Sequence, residues 1–68
     1  MLVMSIKEQI DSYCNYNMLD IPKDWDEYIH YADRFLRIAL ISEEDYSHFV
    51  MYATDEKQQG HNVNANLF

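Results

Sequence analysis

Apolar residues recur at intervals of three and four in three separate stretches of this chain, and each stretch opens on residues that start helices. In the first, Ile6, Ile10, Tyr13 and Cys14 share one face. This is the period of an α-helix, not the alternation of a strand. Ser5 followed by Glu8 matches a capping box, in which each side chain serves the backbone N–H of the other. A helix over about 5–17 is predicted, with Met1 to Val3 read as an extension of little structural role.

Residues 15–24 are rich in turn formers, and Ile21-Pro22 biases the chain to an extended conformation. Asp24 and Glu27 then form a second box-like pair. Beyond them Trp25, Tyr28, Ile29, Ala32, Phe35, Leu36, Ala39 and Leu40 keep helical spacing, which predicts a helix over about 23–40. Tyr31 and Ile38 widen its apolar arc to roughly 200°, about twice what a surface helix needs. The expectation is a central helix covered on two sides.

Ser42 opens a third segment over about 42–58, with acids at positions 43, 44 and 45. Ile41 and Tyr46 occupy the two positions of a hydrophobic staple. Tyr46, Phe49, Val50 and Ala53 make its stripe, and a tight hairpin with the second helix is expected. From residue 59 onward the periodicity stops. This stretch reads as a flexible C-terminal tail, disordered unless Val63, Leu67 and Phe68 dock on something. The fold class predicted is all-α: a small three-helix bundle, up-down-up, in one domain over 1–58.

Composition narrows the setting. Sixty-eight residues give a single core that buries only about 60% of the unfolded chain's surface, so stability is marginal. Cys14 is the only cysteine, which excludes an internal disulfide and fits a reduced, cytoplasmic location. Its expected role is that of a small buried hydrophobe. The apolar run at the start is too short for a signal peptide or a membrane span, so no membrane association is expected.

Twelve Asp and Glu against five Lys and Arg give a net charge of -7. The would-be recognition helix of a helix-turn-helix, the third one, is mostly acidic, and direct nucleic-acid binding is not expected. His30 and His48 have carboxylates at helical offsets, but the stripes put both outward, and a metal site in a bundle needs ligands facing inward. Acids at the helix starts are explained by the helix dipole. No catalytic residue, cofactor or metal is predicted.

Two surfaces remain as candidates for binding another protein. If the second helix starts where the third ends, Asp20, Asp24, Asp26, Glu27, Asp55 and Glu56 gather at one pole against Lys23 and Lys57. Such a pole suits a partner with a basic surface. Tyr31, Ile38, Met51 and Tyr52 lie off the core stripes and form a candidate apolar patch, of the residue types that anchor interfaces. In style, though in no motif, the chain resembles the short acidic accessory proteins of bacteriophages and mobile elements, some of which block host nucleases. The function expected is therefore that of a non-enzymatic interaction domain, an inhibitor or accessory protein covering a basic, nucleic-acid-binding surface. The alternative is a homodimer or larger homo-oligomer built on the exposed aromatics, with the acidity serving solubility.

Overall fold

A computed structural model of the protein describes residues 3–63, with side chains from Ile6 onward. Among these residues the stripes form three helices and no strand: α1 (Val3–Tyr16), α2 (Trp25–Arg37) and α3 (Glu43–Gln58). The architecture is the all-α three-helix bundle that the spacing predicts.

Two of the three starts follow the sequence signals. Asp24 and Ser42 hold extended backbone, and their side-chain oxygens accept the N–H of Glu27 at 2.9 Å and of Asp45 at 3.1 Å. Each thereby satisfies one of the donors that a helix start leaves open. Glu27 reaches back to the N–H of Lys23, one residue before the cap. The first start differs from expectation. Val3 opens α1, so Ser5 already lies within helical backbone and is not a cap, and Val3 is no mere extension. Nothing between Val3 and Ser5 breaks a helix, and the first turn extends back through them. Met1 and Leu2 lie outside the described residues.

All three helices end in the same device. After α1, Leu19 N–H bonds to the Cys14 carbonyl and Met18 N–H to that of Asn15; after α2, Leu40 bonds to Phe35 and Ala39 to Leu36; after α3, His61 bonds to Glu56 and Gly60 to Lys57. This paired closure is the Schellman motif, which needs one left-handed residue. Met18 (φ 59°), Ala39 (φ 62°) and Gly60 (φ 79°) supply it. The predicted second helix, 23–40, is thus too long at its end. Ala39 and Leu40 leave the stripe, and the connection to α3 spans 38–42 instead of Ile41-Ser42 alone. A left-handed alanine costs about 1 kcal/mol that glycine avoids. Ala39→Gly is therefore expected to stabilise the fold by about 0.5–1 kcal/mol, raising the melting temperature by about 2–8 °C. A lowered melting temperature would place Ala39 outside the left-handed region.

The core is drawn from every element: Ile6, Ile10 and Cys14 of α1, Trp25, Tyr28, Ala32 and Phe35 of α2, and Phe49 and Ala53 of α3, closed by Ile41 and Val63. On α1 the buried set recurs every four residues, leaving Tyr13 at the margin, where its ring meets Tyr31 and Phe35 edge-on at 6.1 and 5.6 Å. The phase of α3 is also shifted from expectation. Tyr52, predicted off the core, is half-buried, with its ring edge-on to Trp25 at 5.5 Å, while Val50 falls on the flank beside Met51.

α2 and α3 run antiparallel, since Trp25 meets Tyr52 and Asp26 meets Lys57. α1 does not continue the up-down-up order. Lys7 and Asp11 lie at Tyr28, and Tyr13 lies at Tyr31 and Phe35, so the contacts advance in the same direction along both helices. Residues 17–24 permit this, because eight extended residues reach about 26 Å, enough to return past a helix of this length.

The segment read as a tail is docked in its first part. Gly60 turns the chain back, the His61 carbonyl accepts the Trp25 indole N–H at 2.9 Å, and Val63 is only 3% exposed. A single apolar residue among Asn and Gln gives no periodic signal, which is why the sequence does not show this docking. Leu67 and Phe68 lie outside the described residues. Among the described residues no helix is long and apolar enough to cross a membrane.

Candidate functional site

The acidic pole assembles where α2 starts and α3 ends. Lys57 donates to both carboxylate oxygens of Asp26 at 2.9 Å, and these two line a hollow with Asp24, Trp25 and His61. Most of the pole's acids serve the fold itself. Asp24 caps α2, Glu27 accepts from the Lys23 N–H, Asp55 accepts from Gln59, and Glu56 pairs with the His61 ring at 3.2 Å. Asp20 lies exposed in the connection between α1 and α2. The Asp26–Lys57 pair is open to water on both sides, which limits it to about 0–1 kcal/mol.

The four residues of the predicted apolar patch do not share one hollow. Tyr31 and Ile38 border a small one with Tyr13, Arg34 and Phe35; Met51 borders another with Val50 and Thr54; Tyr52 packs against Trp25. Sequence spacing placed them off the stripes but not beside one another.

A more extended apolar surface forms at the other end of α2, where α1 also finishes. Glu8, Gln9, Ser12, Tyr13 and Tyr16 of α1 line an open groove of about 600 Å³ together with Phe35 and Leu40. Tyr16 is 89% exposed and Leu40 57%, and the hollow of Tyr31 and Ile38 shares Tyr13 and Phe35 with this groove. Leu40 is there because α2 stops early and its closing motif brings Leu40 back over Phe35. The sequence carried one hint: Tyr16 lies off the Ile6, Ile10, Cys14 stripe, three residues after Tyr13. Leu40 carried none, since its spacing continues the core stripe of α2.

Between these ends, the buried Tyr28 hydroxyl donates to Asp11 at 2.5 Å, with Lys7 3.6 Å from the same carboxylate and 5.1 Å from the tyrosine ring. Burial, then the bond to Asp11, holds the Tyr28 phenol well above the ordinary tyrosine pKa. Tyr31 is raised as well, chiefly by burial and then by Cys14. These groups clamp α1 to α2. His30 and His48 are exposed, as the stripes imply. Among the described residues no three of His, Cys, Asp and Glu come together as a metal site would require.

Comparison with known proteins gives no match: no family model fits the chain, and no curated protein or solved structure is significantly similar to it.

Proposed function

We propose that the chain is a non-enzymatic protein-interaction domain that binds another protein through the apolar end formed by α1 and the close of α2. The observation that carries this reading is the groove, in which Tyr16 and Leu40 stand exposed beside Tyr13 and Phe35. Such clustering of aromatic and aliphatic side chains marks an interaction surface, whereas isolated exposed apolars do not. The charge of -7 favours a partner with a basic surface, because complementary charge speeds encounter. An inhibitor or accessory protein covering a nucleic-acid-binding surface is one form of this reading, with Asp20, Asp24, Asp26, Glu27, Asp55 and Glu56 as further contacts.

The second reading is self-association through the same exposed residues. Light scattering on the purified chain separates the two. A monomer is expected from low to high salt, because the net charge opposes pairing of copies at low salt and the groove awaits a different partner. A dimer that persists or strengthens at high salt would put the apolar end between two copies.

A further inference from the structure

We infer that the groove takes one amphipathic helix of a partner protein, with the apolar face of that helix in the groove and Lys and Arg on its flanks. This rests on the interaction reading above and names the partner's chemistry.

The form of the occupant follows from the α1 wall. Its lining residues, Glu8, Ser12 and Tyr16 in one row and Gln9 and Tyr13 in the next, are rows of residues four apart. Rows of this kind are the ridges and grooves into which the side-chain ridges of a second helix pack. Phe35, only 3% exposed with its ring against Tyr13, and the exposed Leu40 complete the lining. A helix inserted here presents anchors at i, i+3 or i+4, and i+7. Strand addition requires an exposed sheet edge, and the described residues contain no strand.

The charge of the occupant follows from what surrounds the groove. Glu8 belongs to the lining itself. Leu40 leads through residues 41–42 directly into Glu43, Glu44 and Asp45, the first turn of α3. The carbonyl ends of α1 and α2 finish at the same end, and the positive N-terminus of α3, which starts there, offsets part of their negative potential, so the acidic side chains carry the charge argument. Arg34, beside the adjoining hollow, and Arg37 are the cations of this part of α2, and Arg37 is paired with Asp33 at 2.9 Å. A cationic helix is attracted. A second copy of this chain, itself at -7, is repelled.

The test uses the full chain and a labelled peptide of about 15 residues, roughly four helical turns, built of Leu at helical spacing and Lys elsewhere. A scrambled peptide of the same composition and a version with Glu for Lys are the controls, and fluorescence anisotropy reads binding. The Leu/Lys helix is expected to bind at least about tenfold more tightly than either control, a difference of about 1.4 kcal/mol. Leu40→Asp and Tyr16→Asp, both at exposed positions and checked for unchanged helicity, are each expected to weaken it about tenfold.

The direction of that change is decisive. Each substitution adds negative charge, so attraction to acidity alone predicts tighter binding, and groove docking predicts weaker. Equal binding of the scrambled peptide, or tighter binding by the Asp variants, overturns the inference. Absence of peptide binding together with a dimer that Leu40→Asp dissolves overturns the helix but keeps the apolar end as an interface. Absence of both overturns the helix alone, because a monomer is what the interaction reading expects.

Discussion

Phe49→Ala is expected to remove from about a third to all of the stability of the fold. Phe49 is fully buried at the centre of α3, and truncating such a phenylalanine costs about 3–5 kcal/mol. A domain of 68 residues has about 3–10 kcal/mol in total. Phe35→Ala belongs to the same class, since Phe35 is also buried and supports the groove wall. Leu36, on the same predicted stripe, is only half-buried, and its replacement by Ala is expected to cost less than that of Phe35. His30→Ala, at an exposed position, is expected to change stability by no more than about 0.5 kcal/mol. Urea unfolding followed by circular dichroism measures all four. Equal costs at Phe35 and His30 would mean that α2 docks with a different face.

Tyr28→Phe is expected to cost about 1–2 kcal/mol at neutral pH, at the lower end for a bond to a charged group because Asp11 keeps Lys7 and some water. Its sharper signature is in alkali. The folded-state pKa of Tyr28 is raised above its unfolded value, so the neutral phenol stabilises the fold fully below about pH 10, and that contribution is lost as pH rises from there. The wild type is expected to lose stability as pH rises above about 10, with the phenolates of Tyr28 and Tyr31 appearing late. Tyr28→Phe should flatten that fall and reduce the late absorbance to the share of Tyr31. An unchanged alkaline profile in the variant would mean that the Tyr28 hydroxyl is open to solvent. Tyr31, also raised, contributes in the same direction and remains in both proteins.

Local chemistry fixed much of this architecture before any long-range contact was needed. Asp24 and Ser42 start helices because a short side chain can serve the N–H three residues on, and that is a matter of spacing alone. Ile6, Ile10, Phe35, Phe49 and Ala53 are buried because each lies on an apolar face whose period is the helix period. Helix number and class, the outward direction of His30 and His48, and the meeting of the start of α2 with the end of α3 follow from the sequence in this way.

What the sequence left open depends on residues far apart in the chain. Ala39 and Leu40 continue an apolar stripe, and only the docked position of α3 decides that the chain leaves α2 at Arg37 and folds Leu40 back over Phe35. Val63 carries no periodic signal, and it is buried because Gly60 turns the chain towards Trp25. The rotational phase of α3, with Tyr52 half-buried and Val50 on the flank, follows from the edge-on fit of Tyr52 to Trp25, 27 positions earlier in the numbering of the chain. The groove is the clearest case. Its lining comes from two helices whose relative direction is set by how residues 17–24 return, and no periodicity within either helix contains that angle. Spacing determines which face of a helix is apolar, while the packing of the other helices determines how much of that face stays open to a partner.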